Sequence, residues 1–181
     1  MGDVMLVKIV TYFLENQHNA VYLRELAKIL RISPYTAKQY MDMLVREGLV
    51  HEERRANLRY FKANAASLVF RHLKIALNLK KLIDAGIVKY LQDTVPNTSS
   101  IVLFGSLAKG EDTAESDIDL VVIGKKIRLD IEVFEGKLKK SITVHIFSWS
   151  DWKRKFTVDV PFYYEIIIHG IALFGEPPVI T

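Results

Sequence analysis

Apolar residues recur at helical spacing over residues 4–16, where Val4, Leu6, Val7, Ile9, Val10, Phe13 and Leu14 mark out one face. Gln17-His18-Asn19 breaks the pattern. A second, shorter helix is predicted over Leu23 to Leu30, burying Leu23, Leu26, Ala27 and Leu30 and exposing Arg24, Glu25 and Lys28. Arg31-Ile32-Ser33-Pro34 then reads as a turn that starts a third helix. Ser33 is suited to the N-cap, and Pro34 to the first helical position, where a missing N–H costs nothing. This helix runs from about Pro34 to Glu47 and stops at Gly48. Alternation takes over in residues 49–53 and again in 58–62, so a hairpin is expected with Arg54-Arg55-Ala56-Asn57 as its turn. Residues 66–93 hold a wide apolar face with no Pro and a single glycine, Gly86, which predicts one long helix or a helix pair closed by Pro96-Asn97-Thr98.

Beyond that point the pattern changes. Ser100-Ile101-Val102-Leu103-Phe104 is a continuous apolar run, as expected of a strand covered on both faces. It enters Gly105-Ser106-Leu107-Ala108-Lys109-Gly110, and a polar loop from Glu111 to Glu115 leads to Ser116-Asp117-Ile118-Asp119. A second apolar strand comes next, Leu120 to Ile123. A later strand is expected at Ile142 to Phe147, after a segment, Arg128 to Lys140, whose Asp130, Glu132 and Glu135 are expected to face water. A helix is expected to start within Ser148 to Lys155. Phe162 to Phe174 reads as a helix ending near Gly170, with apolar Ile171-Ala172-Leu173-Phe174 continuing to Gly175.

Composition narrows the class. Half of the 181 residues are hydrophobic, enough for real cores, and no apolar run approaches the roughly 18 residues that cross a bilayer. With no cysteine, disulfides and thiolate metal sites are excluded. A soluble, cytoplasmic protein with no membrane partner is expected. The net charge of +4 is unevenly spread: residues 1–65 carry 10 Lys+Arg against 7 Asp+Glu, residues 66–95 carry 5 against 2, and residues 96–181 carry 10 against 12. A basic front suits phosphate attraction, and an acidic back suits a cation.

The Gly-Ser and Asp-x-Asp segments carry the chemistry. Gly105 lets backbone amides approach a triphosphate, and Ser106 adds a hydroxyl at a helix start, where phosphate oxygens are favoured. Asp117 and Asp119 stand two apart on a strand, so their carboxylates leave one face. Paired carboxylates can hold Mg²⁺ (or Mn²⁺) bridging the phosphates of a nucleotide, for in-line transfer of a nucleotidyl group.

This order of strand, Gly-Ser, helix, loop, Asp-x-Asp and strand resembles the nucleotidyltransferases of the DNA polymerase β superfamily, within it the kanamycin nucleotidyltransferase-like and minimal nucleotidyltransferases. The match is close over residues 100–123 and looser over about 100–175. The resemblance implies an NTP site with Gly105, Ser106, Lys109 and Ser116 at the nucleotide, Lys109 standing where relatives often carry a basic residue. It also implies a third carboxylate on a later strand, but the strand at residues 142–147 has none, and His145 occupies the expected slot. A neutral imidazole can take a proton from a hydroxyl but is a poor Mg²⁺ ligand. Phe162, Tyr163 and Tyr164 could stack on a base or serve the core.

Residues 4–63 resemble the winged-helix family through the run Ser33-Pro34-x-Thr36-x-x-x-Tyr40-x-x-x-Leu44-x-x-x-Gly48-Leu49-Val50 and the basic hairpin behind it. The resemblance implies double-stranded DNA as a partner. The third helix would present Tyr35, Thr36, Lys38 and Gln39 to the major groove, and the wing would bring Arg54, Arg55 and Arg59 to phosphates or the minor groove. A winged helix used only for protein contacts or dimerisation is the competing reading.

The expected architecture is α/β (α+β): a winged helix over residues 1–64, a linking helix over 65–95, and a nucleotidyltransferase domain over 96–181 with a mixed sheet flanked by helices. Catalytic duty falls to Asp117, Asp119 and His145, with the two aspartates as metal ligands. Three functions fit: a DNA-binding nucleotidyltransferase, a non-catalytic transcriptional regulator that senses a nucleotide, and an antitoxin-like protein with a toxin partner. A homodimer fits each of them.

Overall fold

The computed structural model describes residues 2–180, and the chain divides into two compact units, Met1–Lys74 and Ile75–Thr181. In the first unit, α1 (Gly2–Glu15), β1 (Val21–Tyr22), α2 (Leu23–Leu30) and α3 (Pro34–Arg46) precede the hairpin of β2 (Val50–Arg55) and β3 (Leu58–Ala63). The start of α3 is set by its sequence: Ser33 Oγ accepts the Thr36 N–H at 3.0 Å, and Pro34 takes the first helical position. Ile9 and Phe13 of α1, Leu26 and Ala27 of α2, Ala37, Met41 and Leu44 of α3, and Phe61 of β3 are all buried. The three strands form an antiparallel sheet in the order β1-β3-β2.

Two details of this unit differ from expectation. Val21-Tyr22 is a strand, pairing with Phe61 and Tyr60, and two residues are too few to show any alternation. The hairpin turn is Ala56-Asn57 alone, because Arg54 stands opposite Arg59 and Arg55 opposite Leu58 in the ladder. Charged side chains on an exposed strand look like loop residues, so the alternation stops short of where the backbone pairing stops.

The second unit opens with the later part of α4 (Leu68–Ala85), after which comes α5 (Ile87–Thr94). Gly86 separates the two helices at φ 84°, in the left-handed region that glycine enters at no steric cost, so the segment is a helix pair rather than one long helix. Then come β4 (Ser100–Phe104), α6 (Gly105–Lys109), β5 (Ile118–Ile123), α7 (Glu132–Leu138), β6 (Ile142–Phe147), α8 (Trp149–Val158), α9 (Val160–His169) and β7 (Ile171–Gly175). The sheet runs β6-β5-β4-β7, with β5 and β6 parallel and the other pairs antiparallel, so it is the expected mixed sheet flanked by helices.

Alternate residues of the two central strands feed different cores. Ile101, Leu103, Leu120 and Val122 join Ile87 and Leu91 of α5 on one face. Val102, Phe104, Val121 and Ile123 join Trp152 of α8 and Tyr163 and Ile166 of α9 on the other. Burial on both faces is why these strands read as unbroken apolar runs. Tyr163 is therefore a core residue, and its hydroxyl accepts the Ile180 N–H at 2.8 Å.

The last helix ends where expected, at Gly170, which is extended at φ −72° and ψ 151°. The apolar residues beyond it, left unassigned by the sequence, are strand: β7 lies along β4 as an edge strand. A run of four apolar residues has no decisive period, and the open edge of β4 decides it. No described helix is long and apolar enough to cross a membrane.

Candidate functional site

The site is built where β4 ends and β5 begins. Antiparallel pairing sets Phe104 opposite Asp119, which delivers Gly105 to the Asp119 carboxylate. Gly105 sits at φ 72°, and a Cβ there would lie 2.7 Å from Asp119 Oδ2. The φ favours glycine, and a Cβ there would push the end of the Asp119 side chain aside. Asp117 lies just before β5 rather than on it and is exposed, while Asp119 is half-buried inside the strand. The two carboxylates still feel one another. Burial raises the Asp119 carboxyl above its ordinary value, the charge of Asp117 raises it further, and His145 pulls it back. A pair of acids held against their own repulsion is an arrangement that a cation relieves.

The parallel pairing of β5 with β6 sets Thr143 directly opposite Asp119, and His145 opposite Val121, one pair further along the same face. The His145 ring stacks on Phe147 at 6.3 Å and meets Phe162 edge-on at 5.7 Å and Phe104 at 6.0 Å. Among the described residues no group of three or more His, Cys, Asp or Glu is placed to hold a metal ion.

Around this centre the loop is tied down both from within and by distant segments. Ser116 Oγ accepts the Thr113 N–H at 2.9 Å. Asp112 is buried and takes a hydrogen bond from Asn78 Nδ2 at 2.7 Å, and the same amide reaches the Leu107 carbonyl at 3.3 Å. Lys140 Nζ donates to the carbonyls of Thr113, Ala114 and Ser116 at 2.5, 3.3 and 2.9 Å. Lys109 is ion-paired with Glu165 of α9 at 2.7 Å, and Ser106 is half-buried beside Gly105. Glu135 does not simply face water, as expected from its sequence: its Oε1 accepts the Ile142 N–H at 2.9 Å and caps the start of β6. Sequence reasoning missed Asn78, Asp112, Lys140 and Thr143, because none of them carries a periodic or motif signal.

In the first unit, Tyr35, Lys38 and Gln39 are exposed on α3, and Thr36 is half-buried against Ser33. Gln39 Nε2 donates to the Tyr35 hydroxyl at 3.1 Å. The hairpin arginines each have acidic company. Arg55 pairs with Glu53 at 3.0 Å, Arg54 lies 3.6 Å from Glu52, and Arg59 bridges Asp42 of α3 at 2.5 Å and Glu52 at 2.7 Å. The Arg59 hydrogen bonds hold the Glu52 carboxyl below its ordinary value. Arg59 is thus a brace between helix and hairpin, while Arg54, with its side chain 79% exposed, is the freest cation of the three.

A search of curated proteins finds no match to the chain. Among solved structures, a toxin–antitoxin crystallised with AMP-PNP is similar at 23% identity, covering 50% of this chain and 71% of that chain, with a TM-score of 0.38. A mutant of the toxin–antitoxin MntA–HpeT is similar at 23% identity over 51% of this chain and 72% of that chain, with a TM-score of 0.37. Residues 86–178 match the family model described as polymerase beta, nucleotidyltransferase, a span that holds the Gly105-Ser106 turn, Asp117, Asp119 and all four strands of the mixed sheet. The chain belongs to the polymerase beta nucleotidyltransferase family.

Proposed function

We propose that the second unit binds a nucleoside triphosphate with a divalent cation, Mg²⁺ or Mn²⁺, at Asp117 and Asp119, and transfers a nucleotidyl group from it to an acceptor. The observation that carries this reading is the contact of Gly105 with Asp119: a backbone position without a side chain lies where a Cβ would come within 2.7 Å of the carboxylate. The donor set fits the ion. Mg²⁺ takes hard oxygens, keeps several waters, and is commonly held by one or two carboxylates plus substrate phosphates. Bound there, the cation supplies charge that offsets the leaving pyrophosphate. The residues of the chain do the rest. Gly105 opens the backbone to the phosphates, Ser106 offers a hydroxyl, and Ser116 holds the turn that ends at Asp117. For Lys109 to reach a phosphate, it must exchange its partner Glu165. On the β6 side, Thr143 and His145 stand where a third carboxylate would serve as base. Neither residue is acidic, which favours tight binding with slow transfer, the behaviour of a nucleotide sensor.

The first unit we read as a winged helix that binds double-stranded DNA, with Tyr35, Thr36, Lys38 and Gln39 toward the major groove and Arg54 and Arg55 toward phosphate. The helix–turn–helix order of α2 and α3 and the hairpin behind them support it. The division of the chain inside α4 supports a linking helix within residues 65–95. A protein-binding role, antitoxin-like or through a homodimer, is favoured by one surface: Val160, Tyr164 and Ile168 repeat every four residues on α9 and are 42%, 45% and 64% exposed.

Calorimetry tests the nucleotide site. ATP should bind with Mg²⁺ and not with chelator, and Asp117→Asn combined with Asp119→Asn should abolish it. Equal binding by wild type and double mutant rejects the assignment.

A further inference from the structure

We infer that Lys140 is a positioning residue for the cation site: its ammonium fills a cage of three backbone carbonyls and locks the loop that delivers Asp117. The inference deepens the nucleotide reading above and rests on it.

An ammonium has three N–H donors and no acceptor, and Lys140 Nζ uses them on three carbonyls of one short loop, those of Thr113, Ala114 and Ser116. Those carbonyl dipoles point at one place, where only a cation offsets their mutual repulsion, and hydrogen bonds to a charged donor are the stronger kind. The next residue along the chain completes the grip, for the Ser141 carbonyl accepts the Ile118 N–H at 2.9 Å. Asp117 is therefore bracketed. The residue before it is held by the Lys140 side chain, and the residue after it by the Ser141 backbone. Inside the loop, Ser116 Oγ staples the Thr113 amide at 2.9 Å and fixes the turn from within.

This arrangement differs from an ordinary solvated lysine. Lys137, three residues earlier, reaches one carbonyl, that of Ala85. Lys80 and Lys89 make exposed ion pairs with Asp84 and Asp93 one helical turn away, contacts of little consequence. Lys140 directs its charge at backbone, and that backbone ends in a carboxylate of the site. A neutral side chain of the same length would withdraw the ammonium from all three carbonyls, leaving that of Thr113 the Ser116 N–H at 3.3 Å. The loop would then open, and Asp117 would lose its register with Asp119. A misplacement of about 1 Å at a reacting centre costs on the order of a hundredfold.

The test uses the full-length chain with two readouts. Affinity for ATP–Mg²⁺ is measured by calorimetry, and backbone amide exchange at Thr113, Ser116 and Ile118 is measured without nucleotide. Lys140→Met should weaken ATP–Mg²⁺ roughly tenfold or more and speed exchange at those three amides, while Lys126→Ala, an exposed-lysine control, should change neither. Lys140→Ala removes the equivalent of propylammonium, so added propylammonium should refill the cage and restore both readouts, whereas sodium chloride at the same ionic strength should not. Unchanged affinity and exchange in Lys140→Met would overturn the inference. So would a variant that loosens throughout the sheet and is not rescued, since Lys140 would then serve the fold at large. If the wild type binds no nucleotide, the reading of the aspartates as a nucleotide site fails on its own. The exchange arm then decides whether the clamp exists.

Discussion

Gly105→Ala separates two contributions that usually travel together, backbone strain and obstruction of a site. At φ 72° an alanine incurs the left-handed cost, roughly 1–2 kcal/mol. Gly86 sits at φ 84° with nothing within 4 Å of its would-be Cβ, so Gly86→Ala carries the backbone cost and no other. At Gly105 the new methyl would stand 2.7 Å from Asp119 Oδ2, well inside van der Waals contact, and the carboxylate must give way by several tenths of an ångström. That shift moves one of the two proposed cation ligands. Both variants should therefore melt lower by several degrees, since about 1 kcal/mol is worth some 4 °C or more in a unit of this size. Only Gly105→Ala should lose ATP–Mg²⁺ affinity, by about tenfold to a hundredfold. Scanning calorimetry and titration calorimetry on the two proteins give the four numbers needed. If Gly105→Ala binds nucleotide as the wild type does, phosphates do not approach over Gly105, and the contact with Asp119 is only a packing detail.

Asp119→Asn should raise the melting temperature of the nucleotide-free protein at neutral pH while abolishing ATP–Mg²⁺ binding. Because the folded-state value of Asp119 is raised, the native protein holds this proton to higher pH than the unfolded chain does, and stability falls as pH rises through that window. The gain from Asn should therefore vanish below about pH 4, where the unfolded carboxyl is also protonated, and a melting series across pH with no such convergence would count against it. His145→Asp and Thr143→Asp test which β6 position is the slot for a catalytic base: one of them should raise nucleotidyl transfer from labelled ATP, and the gain should vanish when Asp117 is also replaced. Wild-type transfer at about 1 s⁻¹ or faster would refute the sensor reading. For the first unit, Arg54→Ala should lower the log–log salt slope of DNA binding by roughly 1. Arg59→Ala should chiefly lower the melting temperature, because it breaks the brace to Asp42 and Glu52; equal effects on the salt slope would place Arg59 on phosphate after all.

The elements that could be read from sequence were those whose cause is local. Ser33 and Pro34 start α3 through one side chain and one ring, both within a turn of the helix they begin. β4 could be read to the residue, since a strand covered on both faces needs an unbroken apolar run, and Ser100 to Phe104 is bounded by polar and glycine neighbours. What could not be read falls where pairing with a distant segment decides. Val21-Tyr22 is a strand only because Phe61 and Tyr60 lie opposite, and Ile171–Gly175 is one only because β4 has a free edge there. Arg54 and Arg55 look like turn residues until β3 takes up their backbone.

The candidate site divides along the same line. Gly105, Asp117 and Asp119 announce themselves because the chemistry proposed for them is carried by residue type at fixed short spacing. Their supports do not: Asn78 reaches Asp112 across 34 positions, and Lys140 reaches Ser116 across 24. A lysine among Lys137, Lys139 and Lys140 looks like one more solvated charge, and nothing in its neighbours says that it faces three carbonyls. The β6 strand shows the limit most plainly. The resemblance set His145 in the slot of the third carboxylate, yet the register puts Thr143, a residue with no chemical signature, directly opposite Asp119. Reactivity is a property of a residue type, whereas position opposite a partner is a property of the sheet. The group that completes this site therefore has to be sought from the register of β5 and β6, beginning with Thr143 and His145 together.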